Sequence, residues 1–170
     1  MIRRLHAVSD EELRGLADLL IDCVEGGASV SFMYPLPAPK ALEFWRRVTA
    51  AVTRGERALL VAEDAEGLVG TVQLLLEQPE NQSHRADVAK MLVHRRARGR
   101  GLGAALMRAA EAVARDCGKS LLVLDTVTGG AAERLYVRLG WQRCGVIPGY
   151  AQWPRGGLCD TTYFYRQLAD

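Results

Sequence analysis

The 170 residues predict one α/β domain, 1–170, built around a mixed sheet. Three observations carry this. Short apolar runs bounded by turn residues alternate with stretches whose apolar residues recur at helical spacing. Antiparallel strands come first, then one strand–helix–strand crossover, which needs a parallel pair, then a final hairpin. No repeat, low-complexity tract or linker divides the chain, and its length suits one core.

The elements follow in order. IRRLHAV reads as a first strand. Ser9 then caps a helix with Asp10, Glu11 and Glu12 in its first turn, where the helix dipole favours acids. Leu13, Leu16, Leu19, Leu20, Cys23 and Val24 form its apolar face, and Gly26-Gly27 ends it. The loop SVSFMYPLPAP leads to a second helix, from about Lys40 to Thr53, closed by Gly55. RALLVAED and LVGTVQLLLE form a hairpin around AEG. QPENQSH leads to a third strand of this group, RADVAKMLVH. After a glycine-rich segment, Leu102, Leu106, Ala109, Val113 and Cys117 mark one face of a helix, with Cys117 expected in the core. SLLVLDTV is short and apolar, as a buried strand is. A helix from about Gly130 to Leu139 stops at Gly140, and WQRCGVIPGY and TTYFYRQL make two last strands around a loop containing PRGG.

Composition excludes several function classes. The net charge is only +2, so the arginine cluster near residue 95 is local, and no aromatics interleave it; nucleic acid is not an expected partner. No apolar run approaches the roughly 18 residues that span a bilayer, and the N-terminus lacks a signal-peptide core, so the expected location is cytoplasmic with no membrane partner. Cys23, Cys117, Cys144 and Cys159 are scattered without a CxxC, and His6, His84 and His94 form no spaced pair, so neither a metal nor a disulfide framework is expected.

The segment HRRARGRGLGAALM, His94 to Met107, places four arginines and three glycines in its first ten residues, between a strand and a helix. The first turn of a helix offers free N–H groups and partial positive charge. Gly99, Gly101 and Gly103 let an anion approach the backbone, and Arg95, Arg96, Arg98 and Arg100 are placed to neutralise it. The assembly suits a diphosphate. A Walker loop is absent, and the spacing is GxGxG where a dinucleotide fingerprint has GxGxxG. The pattern R/Q-x-x-G-x-G/A is met by Arg98, Gly101 and Gly103.

With a strand ending MLV before it and ERLYVRLGW after it, this pattern resembles the GCN5-related N-acetyltransferases (GNAT) over almost the whole chain. GGASVSFM, RADVAKMLV, RARGRGLG, LDT and PGY…TTYFYRQL are similar, more narrowly, to the tabtoxin-resistance acetyltransferases. The resemblance implies a mostly antiparallel sheet with a central splayed parallel strand pair, flanked by helices. It implies acetyl-CoA as cosubstrate, with Met91, Leu92 and Val93 pairing its pantetheine arm. Arg98, Gly99, Arg100, Gly101, Leu102, Gly103 and Ala104 would hold its diphosphate. Many family members carry an asparagine seven residues before the tyrosine of the LYxxxG frame; this chain has Gly129 there, with Thr126 or Thr128 as replacements.

Acetyl transfer to an amine asks for a base, an acid and an N–H donor for the carbonyl oxygen. Tyr136, in the LYxxxG frame, is the implied acid at the coenzyme sulfur; the plain alternative is a half-buried helix tyrosine. Asp87 is a base candidate, because strand alternation puts it on the face of Ala89, Met91 and Val93; otherwise it pairs with Arg85 or Lys90. Asp125 ends an apolar strand, where ligands meet open sheets, and would bind the ammonium or act as base; otherwise it caps the following turn. Both aspartates match acidic positions of the tabtoxin-resistance pattern. The expected reaction is direct attack by a small-molecule primary amine, an amino acid or amine-bearing toxin, in a ternary complex. A protein lysine or N-terminal acetyltransferase and a non-catalytic acyl-CoA sensor are the alternatives, and a homodimer is compatible with each.

Overall fold

The first strand, β1 (Ile2–Leu5), is shorter than its apolar run because the chain bends after Leu5 toward Ser9. There the Ser9 hydroxyl accepts the Glu12 N–H and the Glu12 carboxylate accepts the Ser9 N–H, a reciprocal cap that starts α1 (Asp10–Glu25). The second helix, α2 (Ala38–Thr53), begins two residues before Lys40: Pro37 is its cap and Pro39 sits in the first turn, where a missing N–H costs nothing. A hairpin of β2 (Arg57–Asp64) and β3 (Gly67–Leu75) follows, then β4 (Arg85–Val93), α3 (Leu102–Asp116), β5 (Leu121–Val127) and α4 (Ala131–Arg138). The last hairpin is longer than the alternation suggested, β6 (Gln142–Gln152) and β7 (Leu158–Gln167). The computed structural model describes residues 1–168; the last two residues of the expected domain lie outside them.

The strands form one seven-stranded sheet in the order β1-β2-β3-β4-β5-β7-β6. Only β4 and β5 are parallel, as the single crossover through α3 requires. This is the mixed, mostly antiparallel sheet that the sequence implied. Leu106, Met107, Ala110 and Ala114 of α3 and Tyr136 of α4 pack one face, against Leu60, Leu74, Ala86, Val88, Leu122 and Phe164. The other face packs α1 and α2, through Leu16, Leu20, Trp45 and Val48, against Leu59, Val61 and Leu92. Cys117 is not core: it is the C-cap of α3, only partly buried, with its sulfur 3.7 Å from Arg4 Nη1. Among the described residues no helix is long and apolar enough to cross a membrane.

One irregularity matters for the site. Gln73 lies opposite Ala89 and Thr71 opposite Leu92, so β4 holds one extra residue in this interval. Lys90 takes it up with a φ of 49°. Ala86 and Val88 point into the α3 core before the bulge; Met91 and Val93 do so after it, while Leu92 turns to the α1–α2 side. The expectation that Asp87 shares a face with Met91 and Val93 is therefore corrected: the bulge reverses the alternation between them.

Candidate active site

The bulge also opens the sheet. β4 and β5 pair at Arg85–Leu121, Ala86–Leu122 and Asp87–Val123, and then part. Beyond that point β5 continues on β7 as far as Val127, while β4 stays with β3. Met91 lies opposite no residue in either neighbour. It borders the parting of the two strands, where the implied pantetheine contact would fall. Leu92 contributes its side chain to the opposite core. The Val93 carbonyl is already engaged, by Arg98 Nε at 3.0 Å and by the Cys23 thiol at 3.7 Å.

Beyond Val93, a tight turn over Arg95–Ala97 separates β4 from the glycine loop. His94 Nδ1 accepts the Arg96 N–H at 3.2 Å and starts that turn. Here the structure changes the arginine assignment. Arg95 bonds Asp22 through its main-chain N–H (2.9 Å) and its Nε (2.8 Å), and lies 3.6 Å from Glu25. Arg96 pairs with Asp64 and Glu66. These two arginines fasten the loop to α1 and to the β2–β3 turn, so only Arg98 and Arg100, both exposed, remain beside the opening.

Two of the glycines hold backbone that other residues rarely adopt. Gly99 and Gly101 have φ of 75° and 77°, a region that disfavours L side chains. Gly101 is the N-cap of α3 and supplies no side-chain cap. Among the described residues, the amides from Gly99 to Ala104 make no main-chain hydrogen bond. A Cβ on Gly103 would stand 3.1 Å from Leu135 Cδ2 and 3.7 Å from Met91 Sδ. Free amides, a helix N-terminus and two cations converge here, so the residues present fit a diphosphate. Gly101→Val meets no neighbour but must hold the left-handed φ, at about 1–2 kcal/mol. The expected result is a rise of about tenfold in the KM for acetyl-CoA, with a much smaller change in kcat; unchanged KM counts against the loop.

Tyr136 lies in the α3–α4 core, only 5% exposed, with its ring 5.9 Å from both Trp141 and Phe164. Burial holds the phenol well above its ordinary pKa, and the charge of Asp125 adds to this. It is a protonated group at neutral pH. Glu133, one turn earlier, sets its place. The Glu133 carboxylate accepts the Gly129 N–H, the Thr162 hydroxyl at 3.0 Å and Arg143 Nη2. Gly129, at a φ of 81°, thus makes the turn into α4. The Thr128 hydroxyl is bonded to that of Thr162 at 2.8 Å. Nothing in the sequence distinguished Glu133 from a surface helix residue.

Asp125 and Asp87 occupy the other face of the sheet, since Leu122 and Leu124 point toward α3 and α4. Asp87 pairs with Arg85 Nη1 at 2.6 Å and accepts Gln78 Nε2 at 3.0 Å, the paired state weighed for it from the sequence. Asp125 accepts the Thr161 hydroxyl at 2.7 Å and is otherwise exposed. It lines a cavity of about 430 Å³ with Ser31, Phe32, Tyr150 and Asp160, from the α1–α2 loop and the last hairpin. Beside it Tyr163 and Tyr150 join hydroxyls at 2.9 Å. That bond, with burial and the Asp125 charge, pushes the Tyr163 phenol up to about 12. The α1–α2 loop and the last hairpin therefore meet at Asp125. Asp125 and Tyr136 lie on opposite faces of the sheet, Asp125 two residues beyond the last β4–β5 pairing.

This fold recurs in solved proteins. A ribosomal-protein-alanine N-acetyltransferase from Brucella melitensis has a TM-score of 0.83 at 24% identity, over 99% of each chain. Salmonella typhimurium yncA, solved with its cofactor acetyl-CoA, has a TM-score of 0.79 at 21% identity, over 100% of this chain and 94% of its own. A GCN5-related N-acetyltransferase from Kribbella flavida has a TM-score of 0.77 at 22% identity, over 98% of each chain. Residues 14–141 match the family model described as the acetyltransferase (GNAT) family. With that match across most of its length, the forked sheet and the bare-amide loop have their explanation: the chain belongs to the GNAT family and is an acetyl-CoA-dependent N-acetyltransferase.

Proposed function

We propose that the acceptor is the primary amine of a small molecule, as in the tabtoxin-resistance type, and that transfer is direct within a ternary complex. What supports this is the position of Asp125 in the cavity wall, two residues beyond the last β4–β5 pairing, with Tyr136 packed on the opposite face. Acetyl-CoA, when bound, supplies the activated thioester carbonyl. The chain's own residues do the rest. Amides from Gly99 to Ala104, with the Arg98 and Arg100 side chains, fix the diphosphate, and the main chain of β4 at Met91 aligns the pantetheine arm. Asp125 holds the acceptor ammonium from the cavity side and takes its proton, directly or through a water. Asp87, tied to Arg85, adds negative charge to the same face. Tyr136 donates its proton to the departing thiolate on the other side.

The test is an amine panel with acetyl-CoA, read as released free thiol, including peptides with free N-termini and lysines. Small amines as the productive acceptors support the proposal; productive peptides alone shift it to a protein acetyltransferase, the activity named for the Brucella relative. Asp125→Asn is expected to lower kcat/KM for the amine by about 10²-fold or more, with the KM for acetyl-CoA little changed. An unaffected amine term would remove Asp125 from the site.

A further inference from the structure

Among the described residues two non-glycines hold φ in the left-handed region, Ser31 at 79° and Lys90 at 49°. They are bonded to each other: Lys90 Nζ donates to Ser31 Oγ at 3.0 Å. One lies in the loop between α1 and α2, the other in the β4 bulge. Strained residues of this kind cost about 1–3 kcal/mol each and gather at ligand sites. Two that are bonded to each other, one of them in the wall of the Asp125 cavity, call for a reason.

Their charge environment supplies it. The Lys90 ammonium is half-buried, 5.7 Å from the Phe44 ring centroid. Among the described residues no carboxylate comes within ion-pairing distance of it. Burial pulls its pKa down, Arg57 adds to that, and Asp125 opposes it from beyond contact. Arg57 in turn donates to Gln73 Oε1 at 2.8 Å, and the fully buried Gln73 leaves its Nε2 without an acceptor. The charges that act on Lys90 are thus the Arg57 cation and the more distant Asp125, while Asp87 on the same face is already tied to Arg85. The cavity that Ser31 lines presents Asp125 and Asp160. A half-buried ammonium without a counter-ion carries a cost, and an anionic group on the ligand lowers it.

We infer that Lys90, held by Ser31, reads a carboxylate on the acceptor, so that the substrate is a zwitterion: its ammonium faces Asp125 and its carboxylate faces Lys90. This rests on the placing of the acceptor amine at Asp125, and it narrows the small-molecule amine to an amino-acid-like compound.

The experiment compares α-amino acids with their own carboxamides as acceptors. The amine of a carboxamide loses its proton more easily, so amine basicity works against a preference for the acid. The wild type is expected to prefer the acid by about tenfold or more in kcat/KM. Lys90→Gln is expected to erase the preference by raising the KM for the acid, without changing the KM for acetyl-CoA. Equal use of acid and carboxamide by the wild type overturns the inference and leaves the proposed function standing. So does a Lys90→Gln enzyme that folds and keeps the preference. Failure to acetylate any amine overturns both. The wild-type comparison needs no variant, so misfolding of Lys90→Gln would not shield the inference.

Discussion

Tyr136→Phe is expected to lower kcat by about 10²-fold or more, while the KM for acetyl-CoA and the melting temperature stay close to wild type. The ring of Tyr136 packs between Trp141 and Phe164, and phenylalanine keeps that packing. Only the hydroxyl is lost, so the effect belongs to the step in which a proton leaves it. Burial raises this phenol, so its protonated form persists at and beyond the ordinary phenol value of 10.0. The wild-type kcat should accordingly show no alkaline fall due to Tyr136 up to that pH. Equal turnover in wild type and variant, measured at saturating amine, would take Tyr136 out of the mechanism.

Glu133→Ala is expected to cost about 3 kcal/mol of stability, the scale of losing hydrogen bonds to a buried charged group. At this chain length that is roughly 6–12 °C in melting temperature. The loss is large because three donors depend on one carboxylate: the Gly129 N–H, the Thr162 hydroxyl and Arg143. Burial by itself would raise the Glu133 pKa; those three bonds outweigh it and hold the carboxylate below the model-peptide value of 4.5. A depressed folded value means the stabilisation is present above the unfolded value and is lost as pH falls. The gap between wild type and variant should be full above about pH 5 and narrow on acidification below 4.5. A gap independent of pH across that window would refute the ionic account.

The elements were legible wherever local chemistry decides them. Ser9 and Glu12 announce the start of α1, Gly140 the end of α4, and AEG the first hairpin. The order of strands and helices gave the single parallel pair. The glycine loop was legible for the same reason: strand, glycines and helix are contiguous. What escaped depends on partners distant in the chain. Arg95 and Arg96 looked like phosphate ligands, and their carboxylates lie in α1 and the β2–β3 turn. The face of Asp87 was misread because a single residue of bulge at Lys90 inverts an alternation that is otherwise regular. Glu133, spaced like any exposed helix residue, became a buried hub only once β6 and β7 brought Arg143 and Thr162 to it.

The fork between β4 and β5 has one more consequence. A sheet's unsatisfied backbone ordinarily sits at its outer margins, where another chain can add itself and begin an aggregate. This fold keeps such a margin at its centre, with α1 and α3 packed on β4 and α4 on β5. A foreign strand, with side chains projecting above and below, has no room to enter. A slender, nearly unbranched thread does. Adhesive main chain is thereby withheld from other proteins and left to the proposed pantetheine contact.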